Sequence, residues 1–400
     1  MFSRLLSIVY RLDLGGAGRR AGGAGCAGSC LMASQRRHVV AVRLGHLGDL
    51  VMVLPALRWL VRHPELRVTL VTGSSYVTFL AHHLSEVDVV SAQDVGTLEP
   101  AHAVLDLHGV PASRRVIQRV PRFLRAARVA TRKESLRRRS LLLAARWPRV
   151  LGSSRLRHAP LRSWPERHLA AVAELFARLG LPESGWPARP SSIPELVADR
   201  MEEANADGTL SGPILGLCPG ASWETKRWPV RHWSELSTLW SKRERGGSWL
   251  FGSPGESSLL EQIAVDGVSE PWPDSSLGGL IEGLASCDVV VCGDSGPLHL
   301  AGALGVPVVG LYGPTPQDAG FWVWQERGVQ LPETSPPCAP CSLHGQARCP
   351  LSHHRCLEEL DPQRVLDAAV DLARPRETPV IRAGKGFDVD LVETVRSVAP

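Results

Sequence analysis

Two aspartates stand 245 positions apart in matching surroundings, Arg43-Leu-Gly-His-Leu-Gly-Asp49 and Gly293-Asp-Ser-Gly-Pro-Leu-His299. Each segment follows an apolar run, His38 to Val42 in one case and Val289 to Cys292 in the other, and precedes a stretch with helical spacing. Both therefore read as a strand, a tight glycine turn and a helix N-terminus, the place where open α/β sheets bind ligands. At a strand's carboxyl end Asp49 has the position of a general base; as the opening residue of a helix it also suits an N-cap. In the second segment the amides freed by Ser295 and Gly296, added to the helix dipole, form an anion site fit for a diphosphate. Pro297 suits the first helical turn, and His299 falls there too, facing either the ligand or the core.

Between these segments lie two further loops that leave apolar runs. Pro219-Gly-Ala-Ser222-Trp-Glu-Thr-Lys226-Arg-Trp-Pro229 carries a lysine able to neutralise charge growing on a departing diphosphate. Phe251-Gly-Ser-Pro-Gly-Glu256 offers a carboxylate that could accept hydrogen bonds from ribose hydroxyls or cap its own helix. G-x-G-x-x-G is absent from the Gly45-x-x-Gly48-Asp49 turn, which argues against a nicotinamide enzyme.

The elements that hold these loops alternate in both halves. Strand-like runs at His38 to Val42, Val68 to Thr72 and Ala103 to Leu107 are followed by helical stretches, the last of them a long basic helical region. The pattern restarts at Ile214 to Cys218 and continues through Ser248 to Phe251, Val289 to Cys292 and Val306 to Leu311, each with its helix. This rhythm predicts α/β architecture with two Rossmann-like, doubly wound domains facing across a cleft. At 400 residues and 44% apolar content the chain can bury two cores. Pro- and Gly-rich punctuation places the boundary within 181–212, giving an N-terminal domain over 36–190 and a C-terminal one over 205–360. Residues 361–400 read as a helical segment.

Residues 1–35 read as a disordered extension rich in Gly, Ala and Arg, with Met32 an alternative start and only a poor lipoprotein-like box before Cys26. No run approaches the ~18 apolar residues of a membrane span, and no export signal is recognisable, which points to the cytoplasm. The net charge of +5 conceals an asymmetry: residues 112–167 hold 16 Arg and one Lys against two Glu. Such a run is a solvated face, a contact for anionic lipid headgroups or a contact for a phosphorylated acceptor; aromatic interleaving for nucleic acid is lacking. Nine cysteines include a late group, Cys338, Cys341, Cys349 and Cys356, whose spacing is compatible with a structural zinc site, a reduced thiol cluster or paired disulfides. Cys218, Cys287 and Cys292 sit in apolar runs as core residues.

These motifs together resemble glycosyltransferase family 9, the ADP-heptose:lipopolysaccharide heptosyltransferases. Arg43-Leu-x-x-Leu-Gly-Asp49 with Leu54-Pro-Ala-Leu57 is similar to the family's first motif, and Pro219-Gly-Ala-Ser-x-x-Thr-Lys226-Arg-Trp-Pro229 to its second. Asp294-Ser-Gly-Pro-Leu-His299-Leu-Ala301, Gly305-Val-Pro307 and Leu311-Tyr-Gly-Pro314 resemble the third, with Ser295 in place of the commoner Thr. The resemblance implies a GT-B fold, inverting transfer without a catalytic metal or other cofactor, and a final helix that returns to the first domain. It implies Asp49 as the catalytic base and Ser222, Lys226, Glu256, Asp294, Ser295, Gly296 and His299 as donor contacts. Arg43, His46 and Gly48 then lie on the acceptor side. The implied partners are ADP-heptose and a lipid A–core acceptor, met by a cytoplasmic enzyme touching the inner face of the membrane. Another nucleotide-sugar, or a non-catalytic nucleotide or anionic-lipid binding protein, remains open; Asp49 favours catalysis.

Overall fold

The computed structural model describes residues 36–133, 162–182, 212–316, 319–324 and 327–373. The N-terminal lobe is built from β1 (Arg37–Val42), α1 (Leu47–Val61), β2 (Leu66–Thr72), α2 (Val77–His83), β3 (Asp88–Ser91), β4 (Ala101–Asp106), α3 (Pro111–Arg119), β5 (Arg122–Ala130) and α4 (Trp164–Leu179). The C-terminal lobe contains β6 (Leu215–Cys218), α5 (Val230–Glu244), β7 (Ser248–Leu250), α6 (Ser257–Ile263), β8 (Ser269–Pro271), α7 (Leu277–Ser286), β9 (Val289–Gly293), α8 (Gly296–Ala303), β10 (Val308–Leu311), β11 (Gly328–Leu331), α9 (Arg355–Glu358) and α10 (Pro362–Ala373).

Every named strand pairing is parallel. The first sheet runs β3-β2-β1-β4-β5 and the second β11-β10-β9-β6-β7-β8. Helices must cover both faces of such sheets, so the central strands are apolar throughout: β9 is buried from Val289 to Gly293, and β1 from His38 to Val42. Helix α1 is buried almost all round because it lies between its own sheet, α4 and the other lobe. Trp59 of α1 meets Phe176 of α4 edge-on at 5.0 Å. Helix α4 is fixed at both ends by its sequence: Ser163 and Glu166 form a reciprocal capping box, and Gly180 closes it in the left-handed conformation, φ 65°.

One apolar cluster runs through both lobes, from Val39 and Leu50 to Leu298 and Val308, so the inner layers share a continuous interior. The two outer faces have separate cores, around Val42 and Val104 in one lobe and Trp233 and Leu366 in the other. The N-terminus of α4 is tied to the C-terminal lobe as well, since the Trp164 amide donates to the Gly320 carbonyl at 2.9 Å.

The basic stretch after β4, which reads as a long helix, is instead the short α3 followed by the edge strand β5. An edge strand with both faces largely open lacks an apolar run, so its arginines hid it. Residues 134–161 of that stretch lie outside the described residues, as do residues 1–35 and the boundary region 183–211. Of 361–400, the described part packs on the C-terminal lobe: Arg243 of α5 pairs with Asp367 at 2.6 Å, and Val365, Leu366, Ala369 and Val370 enter that lobe's outer core. Any return to the first domain falls in 374–400, outside the described residues. Among the described residues no helix is long and apolar enough to cross a membrane.

Candidate active site

In each sheet the strand order reverses direction between two neighbours, β1 and β4 in the first and β6 and β9 in the second. Loops leaving such strands diverge to opposite faces and open a crevice at the carboxyl edge. The loops after these four strands carry Arg43 to His46, Leu107 to Val110, Pro219 to Pro229 and Asp294 to Ser295. They line one cleft of about 1220 Å³ with walls from both lobes.

The lobes meet where two helix N-termini face each other. A Cβ on Gly48 would come within 2.6 Å of His299 Cδ2 and 3.3 Å of Gly296 Cα, and one on Gly296 within 3.4 Å of the Gly48 amide. A side chain at Gly48 would force His299 to shift, and one at Gly296 would press on Leu47 and the Gly48 amide. This close approach sets Asp49, one residue further on α1, against the start of α8.

Asp49 does not cap α1. The N-cap is His46, at φ 62° and without a side-chain capping bond, and Asp49 stands inside the first turn. Its Oδ2 instead pairs with Arg43 Nη2 at 2.5 Å while the side chain stays 27% exposed to the cleft. Arg43 is buried and its Nη1 donates to the Leu107 carbonyl at 2.7 Å, so a rigid guanidinium holds the carboxylate. Arg43 thus underpins Asp49; His46, exposed, and Gly48, buried, line the cleft beside it.

Across the cleft, Lys226 donates to Asp294 Oδ2 at 2.7 Å and to the Asp294 carbonyl at 3.0 Å. Thr315 Oγ1 adds a donor to the same carboxylate oxygen at 2.8 Å. Burial pushes the Asp294 carboxyl up, but Lys226 and Thr315 outweigh it and hold it below its ordinary value. An ammonium has three donors, so one of Lys226 stays available to an incoming anion. Ser295, N-cap of α8 with no capping bond of its own, contacts Cys292 Sγ through Oγ at 3.3 Å. Glu256 closes its own turn, accepting from the Ser253 amide at 2.8 Å and hydroxyl at 2.7 Å. Its Oε1 overlies Gly220, where a Cβ would come within 2.1 Å. Ser222 is exposed on the loop after β6 and lines the cleft.

His299 is buried, and burial lowers its pKa to about 4 against the opposing pull of Asp294 and Asp49. The ring is therefore neutral near pH 7, with Trp324 Nε1 donating to Nδ1 at 3.4 Å. His108 behaves alike: burial first and Arg43 second lower it to about 4. Asp106 shapes the turn that presents His108, its Oδ1 accepting from the His108 and Gly109 amides at 3.0 and 2.7 Å. His108, Lys133 and Tyr76 line the N-terminal wall of the cleft but escape sequence reading, as does Thr315 beside Asp294. For His108 one signal existed: it directly follows a strand at the crossover point.

The four late cysteines are free thiols, Cys338, Cys341 and Cys349 in a long loop with little regular structure and Cys356 in the short α9 that follows it. Burial and then the thiols of Cys341, Cys338 and Cys349 push Cys356 up to about 12. The thiols are neighbours, yet among the described residues no group of three or more His, Cys, Asp or Glu is placed to hold a metal ion. Cys356 packs against Gly313, and Cys349 sits among the backbone amides of residues 351–354. What the loop does is brace the turns that carry Lys226 and Thr315. Thr225 Oγ1 donates to the Gln346 carbonyl at 2.8 Å, His354 Nε2 meets the Thr225 carbonyl at 2.9 Å, and the Cys341 amide donates to the Pro314 carbonyl at 2.9 Å. Residues 225 and 314 adjoin Lys226 and Thr315.

Comparison with known proteins gives this geometry a family. The model of glycosyltransferase family 9 (heptosyltransferase) matches residues 124–344, more than half of the chain. Lipooligosaccharide heptosyltransferase 2 of Campylobacter jejuni is 30% identical over 169 residues, 40% of this chain and 51% of that protein. Lipopolysaccharide heptosyltransferase 1 of Pseudomonas aeruginosa is 31% identical over 228 residues, 54% of this chain and 61% of that protein. The matches thus span between half and two thirds of those curated relatives. Among solved structures, a glycosyl transferase family 9 protein from Veillonella parvula superposes with a TM-score of 0.62 at 17% identity, covering 84% of this chain and 97% of that one. ADP-heptose LPS heptosyltransferase II of E. coli gives 0.56 at 21%, covering 84% and 98%. The likeness extends to the whole two-lobed arrangement, which is the GT-B fold. With a parallel sheet in each lobe, a cleft between them and a family match over more than half of the chain, the protein belongs to glycosyltransferase family 9.

Proposed function

We propose that the protein is an inverting, metal-independent transferase that moves heptose from ADP-heptose to a lipopolysaccharide core or related surface glycolipid. The N-terminal lobe takes the acceptor and the C-terminal lobe the nucleotide-sugar. One observation carries this reading: a carboxylate on one wall and a cationic, amide-lined anchor on the other meet at the Gly48 and Gly296 contact. An acceptor hydroxyl on the Asp49 side attacks the anomeric carbon from the face opposite the diphosphate, and Asp49 takes its proton. The leaving ADP is stabilised by the spare donor of Lys226 and the amides at the start of α8. Because these groups meet the developing charge, they support a route that needs no catalytic metal. Ser222, Glu256 and Ser295 line the donor side, Glu256 within reach of ribose hydroxyls. A lipid-linked acceptor places the enzyme in the cytoplasm against an anionic membrane face.

The test is transfer from ADP-heptose to a lipid A–core acceptor with chelator present, the product's anomeric configuration read by NMR. Inversion with undiminished rate in chelator supports the reading; retention, or no transfer while another nucleotide-sugar is consumed, overturns it.

A further inference from the structure

The pairing of β4 with β5 breaks at one place. Ala101 pairs with Arg122, and the next pair is Ala103 with Ala127, so a single β4 residue, His102, spans four on β5. Residues 123–126 are thrown out of the ladder at the open edge of the sheet. The ejected residues are apolar at the tip: Leu124 is 107% exposed and Phe123 49%, its ring resting on His102 at 4.6 Å. Bulges at sheet edges re-aim side chains, and here the aim is into solvent.

The segment that carries the bulge is strongly cationic. From Pro111 to Lys133 there are seven arginines and one lysine and no acidic residue. Arg119 and Arg122 spend donors on backbone carbonyls, and Arg132 approaches Glu174 at 3.8 Å. Arg125 and Arg128, on the bulge and just after it, are exposed and form no ion pair among the described residues, as is true of Arg114 and Arg115 on α3. Arginines alone would protect an edge strand from pairing with another chain. A projecting Leu and Phe defeat that purpose, and their cost in water needs another return.

We propose that the bulge 123–126 is a membrane-docking element, seating Leu124 and Phe123 in the interfacial region of an anionic bilayer while Arg125 and Arg128 meet lipid phosphates. Apolar side chains supply the insertion and unpaired cations the attraction, the combination that interfacial binding requires. The strand connects this contact to the site, because its other end leads to Lys133 in the cleft. At about 3.3 Å per residue the bulge lies roughly 20 Å or more from that end, so an acceptor sugar can reach the cleft while its lipid stays in the bilayer. The inference refines the membrane contact of the proposed function and rests on that reading for its purpose, not for its binding.

The full chain is sedimented with vesicles of phosphatidylcholine alone and of phosphatidylcholine with phosphatidylglycerol. Wild type binds the anionic vesicles only. Phe123→Ser with Leu124→Ser, which leaves every charge in place, lowers partitioning by roughly tenfold or more. Arg125→Gln with Arg128→Gln lowers it and flattens its salt dependence. Both variants keep the thermal midpoint of wild type and its transfer rate to a lipid-free acceptor. The assignment is overturned if the serine pair binds as wild type does, if wild type binds both vesicles equally or neither, or if only the arginine pair matters and soluble nucleic acid competes. Failure of the transferase reading shows separately, as absent turnover with vesicle binding intact.

Discussion

Arg43 and Lys226 perform the same task on opposite walls: each fixes an aspartate, yet the two carboxylates end in different states. Asp49 is held by one guanidinium and remains open to the cleft, while Asp294 is enclosed by Lys226 and Thr315. A reactive carboxylate must be reachable and an anchoring one need not be, so the proposed mechanism gives the proton to Asp49 and not to Asp294. Replacing Thr315 with Val removes one donor to Asp294 and lets its pair with Lys226 loosen. A rise in the ADP dissociation constant of roughly fivefold to tenfold is expected, measured by calorimetry. The neutral histidines give a pH signature. His299 and His108 sit near 4 in the fold against an ordinary 6.5, so unfolding takes up protons between those values. Their contribution is fully present above pH 6.5 and is lost as pH falls toward 4. Thermal midpoints recorded across that window should fall less steeply for His299→Gln than for wild type.

At the scale of elements, the capping box before α4 should be worth about 1 kcal/mol, so Ser163→Ala lowers the denaturant midpoint without changing the slope. The same box shows what the sequence could reveal. Ser163, Pro165, Glu166 and Gly180 announce a helix by chemistry that is local, and the four central strands announce themselves by largely apolar runs. Asp49, Lys226 and Asp294 were legible because each follows such a run within a glycine-bearing turn. Strands β3, β5, β8 and β11 were not, being short or edge-lying, with burial that only tertiary neighbours supply. The cysteine spacing carries no direction and so could not show that the loop braces Thr225 and Pro314. Thr315 gains its place through its hydrogen bond to Asp294, distant in sequence, which no local pattern records.

For the whole molecule, the continuous apolar interior and the Gly48 and Gly296 contact make the lobes one working unit. A methyl at Gly48 presses on His299 and on the backbone of α8, pushing the walls apart while leaving Lys226 and Asp294 where they are. Gly48→Ala should therefore cut turnover by roughly tenfold or more with nucleotide affinity little changed. The most direct test of the account divides its two walls. Transfer and ADP-sugar binding are measured side by side for Asp49→Asn, which keeps the shape and removes the proton acceptor. A rate reduced by about 10²- to 10⁴-fold with affinity within roughly twofold of wild type is the predicted result. Turnover near the wild-type rate would contradict it, because the carboxylate facing the donor anchor would then have no part in the reaction.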